Sequence, residues 1–209
     1  MSFVISSILP FPSISWWAYT SSAETVLWNE LEPFRKMSYR NRYYIAGGNG
    51  IIMLSIPLAG GGRNQRTPMN QVMIDPLDDW QKRHYRTLVS AYGRSPYFEF
   101  YEPGLKMLFE TKFERLSEFS NASFRWINTQ LNLKLKDAVV DTAALQDDMV
   151  ADLRPMMPGK RYLNFPQYRQ VFEERFGFIT DLSILDLLFA EGPLASQWLR
   201  ENSVKILEQ

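Results

Sequence analysis

Two groups of residues have the makings of chemistry on an anionic molecule. The first is the run Arg35-Lys36-Met37-Ser38-Tyr39-Arg40-Asn41-Arg42, which sets four cations beside two hydroxyls and an amide. Arginine offers a planar fork of N–H donors that fits a phosphate or carboxylate bidentately, lysine a compact point charge, and Asn41 both a donor and an acceptor that can orient a ligand. The second is His84, the only histidine in the chain, and so the one side chain type that titrates near neutrality without a shifted pKa. Taken together they describe a site in which Lys36, Arg40 and Arg42 bind the anion, Asn41 orients it and His84 moves a proton. Each group also has a plainer reading. Charges of this kind blunt a strand edge, and a histidine whose helical neighbours are Trp80 and Leu88 fits a hydrogen-bonded core residue.

Weaker signals surround these two. The loop Gly60-Gly61-Gly62-Arg63-Asn64-Gln65-Arg66 could wrap an anion with backbone N–H groups, but it matches neither a Walker A loop nor a dinucleotide fingerprint, and a surface loop explains it as well. Asp78 and Asp79 suit the start of a helix, where a carboxylate complements the macrodipole. Trp16, Trp17, Trp80 and Tyr92 are core material that could also line a pocket for a sugar or base face, and Trp80 and Tyr92 join the expected substrate-binding set. No zinc-type spacing occurs and there is no cysteine, so thiolate metal sites, disulfides and a cysteine nucleophile are excluded, and neither metal nor cofactor is expected.

The elements that must carry these residues follow from periodicity. Phe3 to Leu9 reads as a buried strand stopped by Pro10, Ser13 as the cap of a helix containing Trp16 and Trp17, and Thr25 to Trp28 as a short strand. Tyr43 to Leu58 reads as a hairpin turning at Gly47-Gly48-Asn49-Gly50, with a further short strand at Val72 to Ile74. Leu77, Trp80, His84, Leu88 and Ala91 then recur at helical steps, ending at Gly93. Helices are predicted over Pro103 to Phe113 and Leu116 to Leu133, followed by a polar connector from Asp137 to Lys160 with a short strand near Val139. The tail regains Tyr168, Phe172, Phe176, Phe178 and the run Ile184 to Phe189, which implies docking on the core, before Gly192-Pro193 and a last helix. Strands first and helices after predict an α+β fold, with the N-terminal strands and the hairpin forming a small mixed sheet under a cluster of helices.

Composition limits the partners. Of 209 residues, 23 are lysine or arginine and 23 aspartate or glutamate, so the formal net charge is zero and no global field recruits nucleic acid or an anionic membrane. An anionic small molecule would have to be met locally. No run of 18 apolar residues occurs, so membrane insertion is not expected. The apolar opening lacks the basic region of a signal peptide, which together with the absence of cysteine predicts a cytoplasmic location. One domain over residues 1–209 is expected; the sequence does not address oligomeric state.

The motifs Leu9-Pro10, Phe34 to Arg42, Leu54-Ser55-Ile56-Pro57, Trp80-Gln81-Lys82-Arg83-His84 and Ala91-Tyr92-Gly93-Arg94-Ser95-Pro96-Tyr97-Phe98, in this order, resemble the WbqC-like protein family of bacteria. The resemblance covers about residues 1 to 135, leaving 136–209 as an extension. It implies motif positions at Lys36, Arg40, Asn41, Arg42, Trp80, His84, Tyr92 and Pro96, while Leu9 stands where a polar residue is usual. The family takes its name from an O-antigen gene cluster. The resemblance therefore implies work on a nucleotide-linked sugar, such as acyl or aminoacyl transfer to an amino sugar; the alternative is a non-catalytic binding or assembly protein for an anionic sugar nucleotide or a protein partner.

Overall fold

The structure, a computed structural model, describes residues 3–60, 66–140, 150–156, 158, 162 and 164–207. Strands β1 (Phe3–Ser6) and β2 (Thr25–Trp28) pair in parallel, Phe3 opposite Thr25 and Ser6 opposite Trp28. Parallel neighbours need a crossover, and helix α1 (Ile14–Thr20) provides it, capped as predicted by Ser13, whose hydroxyl accepts the Trp16 N–H. Two later strands complete this sheet, also in parallel: β5 (Lys136–Val139) beside β2 and β6 (Val150–Asp152) beside β1, in the order β5-β2-β1-β6. The hairpin, β3 (Arg42–Gly47) and β4 (Gly50–Ser55), is a separate antiparallel pair. The architecture is α+β.

The division into two sheets departs from the single mixed sheet expected. The parallel sheet is completed instead by β5, which is the short strand expected near Val139 and is mostly exposed, and by β6 from within the polar connector. The turn itself follows expectation: Gly47 faces Gly50 across the two-residue loop Gly48-Asn49, and Gly50 has φ of 102°, which a side chain would resist. Val72 to Ile74 makes isolated bridges to Leu58 and Arg115 instead of a ladder. Gly61 to Gln65 of the glycine-rich loop and the connector residues Asp147 and Asp148 lie outside the described residues.

Helix α2 (Trp80–Tyr92) buries Trp80, His84, Leu88 and Ala91, the face that periodicity assigned to it. Leu77 precedes the helix and is exposed. Helix α3 (Phe98–Glu110) starts a turn and a half before the expected Pro103 and carries that proline inside. As the sixth residue of the helix it leaves the Glu99 carbonyl without its i→i−4 donor, a loss set against the burial of Phe98 and Tyr101 that the longer helix brings. Helix α4 (Leu116–Gln130) packs against it. At Gly104 a Cβ would lie 2.6 Å from Trp126 Nε1, so glycine permits this approach.

The tail contributes a single turn α5 (Glu173–Phe176) and helices α6 (Ile184–Glu191) and α7 (Ala195–Leu207). Every residue from Ile184 to Phe189 is buried, so α6 is enclosed on all sides, as a helix apolar all round requires. One apolar cluster runs from Val4 to Ile206. Within it lies a charged knot: Asp186 accepts from the hydroxyls of Tyr92 and Tyr168, each at 2.6 Å, and from Gln170 Nε2 at 3.1 Å. Tyr92 in turn accepts from the Ala46 N–H at 3.1 Å. Burial pushes the Asp186 pKa up while its three donors hold it down. This network ties α2, the hairpin and the tail together.

Candidate functional site

The two groups that the sequence singles out meet at Ser55, the last residue of β4. Asn41 Nδ2 donates to Ser55 Oγ at 3.3 Å and to the Ile56 carbonyl at 3.0 Å. His84 Nε2 lies 3.2 Å from the Ser55 carbonyl, and Nδ1 lies 3.0 Å from the Tyr43 hydroxyl. A carbonyl only accepts, so Nε2 carries the proton and Nδ1 accepts from Tyr43. The imidazole is 1% exposed and stands edge-on to the Tyr43, Trp80 and Phe109 rings. Burial lowers its pKa to about 4, against the smaller opposing pull of the Ser55 hydrogen bond.

The cations go separate ways. Arg40 is 1% exposed and binds Glu32 at 2.7 Å, an ion pair taken out of water that needs both partners. Lys36 is exposed on the surface. Arg42, half-buried at the start of β3, borders a cleft. Trp80 is buried against His84, Phe109 and Phe119 at the edge of a different cleft, and Tyr92 belongs to the Asp186 network. Trp16 and Trp17 are sealed in the core with Trp28 and Phe124. The described geometry therefore does not gather the basic run and the imidazole around one hollow: Arg40 is neutralised, His84 is enclosed, and Arg42 looks the other way.

On the side where Arg42 lies, the tail supplies part of the wall. A cleft of about 480 Å³ is lined by Met37, Tyr39, Arg42, Tyr44, Ile51 and, from the tail, Ile179 to Leu182. Its carboxylate is Asp181. The Ser15 N–H and hydroxyl donate to Asp181 at 2.8 and 2.9 Å, and Ser13 and Tyr162 add further hydrogen bonds. Burial outweighs all of these and raises the Asp181 pKa to about 6. Tyr39 and Tyr162 are also raised, first by burial and next by the charge of Asp181. Met37 and Asp181 both sit in left-handed backbone, with φ of 55° and 53°. Aspartate tolerates this; for methionine it is uncommon, and such conformations gather at working sites.

A titratable carboxyl near neutrality, a cation and two phenols on one cleft can bind an anion and exchange a proton beside it. Asp181 carries no local signal in the sequence. It reaches the cleft because the tail folds back on the start of α1: the Ile14 N–H donates to the Leu182 carbonyl at 2.9 Å and the Ile184 N–H to the Pro12 carbonyl at 3.0 Å. Among the described residues no group of three or more histidines, aspartates or glutamates gathers to hold a metal ion, and no helix is long and apolar enough to cross a membrane.

No solved structure matches the chain significantly. Among curated proteins it is similar to the uncharacterized protein Rv1507c of Mycobacterium tuberculosis, 24% identical over 205 residues that cover 85% of this chain and 87% of the relative. The family model for the WbqC-like protein family matches residues 10–176, a span that takes in the basic run, the hairpin, α2 and the first turn of the tail. By that match the chain belongs to the WbqC-like protein family.

Proposed function

We propose that this protein is an enzyme of bacterial surface-polysaccharide (O-antigen type) or related sugar metabolism that transfers an acyl or aminoacyl group to the amine of a nucleotide-linked sugar in the Arg42 cleft. The family's name supports the sugar context. The observation that carries the site is the Asp181 carboxyl, raised to about 6 on a cleft that also holds Arg42. Arg42 binds the substrate's phosphate or carboxylate. Above pH 6 Asp181 is the carboxylate; as the amine attacks the acyl carbonyl and the C–N bond forms, it takes the amine proton and returns it to the leaving group as that departs with its electron pair. A base whose pKa lies near working pH suits both halves of this exchange.

In this proposal His84 is a positioning residue that fixes Tyr43 and Ser55, hence the hairpin that carries Arg42, and Asn41 shares that task. Lys36 stands next to Met37 of the cleft wall and adds charge at its approach. Trp80 and Tyr92 hold α2 in place. Residues 1–209 act as one unit, because the extension after residue 135 supplies Asp181.

With an acyl donor and a nucleotide-linked amino sugar, Asp181→Asn is expected to lower kcat by roughly 100-fold or more, and Arg42→Ala chiefly to raise KM. Turnover that survives Asp181→Asn, or that is abolished by His84→Gln in a folded protein, contradicts the assignment of the proton to Asp181. The second reading, a non-catalytic protein recognising an anionic sugar nucleotide or a protein partner, is favoured by the donors that already surround Asp181; ligand binding lost in Arg42→Ala without any turnover would establish it.

A further inference from the structure

The outer face of α2 lines a second cleft, which among the described residues shares no lining residue with the first. Asp79, Lys82, Arg83, Arg86, Thr87 and Ser90 recur at three- and four-residue steps, opposite the buried Trp80, His84, Leu88 and Ala91. Such a face usually meets only water. Here it forms one wall of a cleft of about 630 Å³ whose other walls are Gly47 and Gly48 of the hairpin turn and the ring of Phe172. Phe172 also borders an adjoining cleft of about 940 Å³ that contains Arg94 and Arg169.

Among the described residues five cations line these two clefts, two of them paired and three not. Arg83 is paired with Asp78 at 2.8 Å and Lys82 with Asp79 at 3.8 Å. Arg86, Arg94 and Arg169 make no ion pair among the described residues, and Glu173 of the second cleft turns one oxygen to the Gln170 N–H. Arg86, Arg94 and Arg169 thus line two clefts that share one aromatic residue, an arrangement with no part in the protein's own ion pairing. It does suit a ligand with more than one phosphate and an apolar or aromatic portion. The guanidinium forks match phosphate oxygens, and the exposed side of Phe172 offers a surface for a ring.

We propose that the two clefts flanking Phe172 bind an organic diphosphate, with Arg86 on one side and Arg94 and Arg169 on the other reaching its phosphates and Phe172 supporting its ring. The inference does not rest on the Arg42 cleft. In a group transfer it would provide the second of the two substrate sites.

The test is calorimetric titration of the full chain with inorganic pyrophosphate and with ADP at two salt concentrations. Both probes are expected to bind, more weakly at higher salt, as phosphate contacts require. Arg86→Ala and Arg169→Ala, both at exposed positions, should each weaken both probes by about tenfold, the scale of one lost charge-assisted contact. Phe172→Leu, which keeps an apolar side chain but removes the ring, should weaken ADP and leave pyrophosphate unchanged; Arg200→Ala, at an exposed position on α7 that lines neither cleft, should change neither. The proposal is overturned if neither probe binds at millimolar concentration, if the Arg86→Ala, Arg169→Ala double variant binds both as tightly as the parent, or if Arg42→Ala alone abolishes binding.

Discussion

The hairpin separates two environments built from the same kinds of residue. Behind it, on the side of α2, His84 and Tyr43 bind one another, both are closed to water, and burial drives the imidazole down to about 4. In front of it, Arg42 and Tyr44 border a cleft that faces Asp181, whose carboxyl burial drives up to about 6. Desolvation favours the neutral form in both places. The difference lies in position: the imidazole is enclosed by rings and by its own partners, whereas Asp181, both of whose carboxyl oxygens accept from Ser15, is among the residues that line a cleft. A shifted pKa alone would have pointed to either group; its position on a cleft is what makes Asp181 the candidate.

The largest test of this contrast concerns Arg40, the buried cation just before the hairpin. If Arg40 is architecture and not a ligand for substrate, Glu32→Ala should destabilise the protein by about 3–5 kcal/mol by stranding a buried guanidinium, read from the midpoint of urea unfolding at constant slope. Replacing both partners with apolar residues should restore most of the loss. A small effect of Glu32→Ala would mean that Arg40 is free to serve a ligand after all.

The sequence made the back of the hairpin legible and left the front obscure, for a physical reason. Period and turn chemistry are local, so the α2 face, the Ser13 cap and the Gly47 to Gly50 turn could be read directly. The resemblance to the family was likewise carried by motifs that pack: Trp80, His84 and Tyr92 are core or network residues, and Arg40 is an internal ion partner. The front depends on contacts between residues far apart in the chain. Asp181 meets Ser15 across 166 positions, and β6, from within the polar connector, pairs with β1 at the start of the chain, a partnership no local pattern marks. Nothing in a window around Asp181 distinguishes it from a turn residue.

A smaller test uses pH. The folded-state pKa of His84 is lowered from 6.5 to about 4. Its contribution is therefore fully present above pH 6.5 and lost as pH falls towards 4, where the unfolded chain binds the proton more readily. The loss should be on the order of 3 kcal/mol, and in His84→Gln this part of the pH dependence should vanish. Asp181 works in the opposite sense. Its pKa is raised from 3.8 to about 6, so the folded state binds the proton more readily and this group's contribution declines as pH rises through that window. Stability profiles of the two variants that shift in the same direction would break the comparison.

The most direct measurement is the titration of the Asp181 carboxyl itself, followed by carbon NMR with Asp181→Asn to assign the resonance. The account predicts a midpoint of about 6 that moves down when an anion-free substrate mimic bearing an amine enters the cleft, and that stays near 6 in His84→Gln. A midpoint at the ordinary 3.8 would contradict it, because the carboxyl would then be a solvated cap on α1 with no proton to exchange near neutral pH.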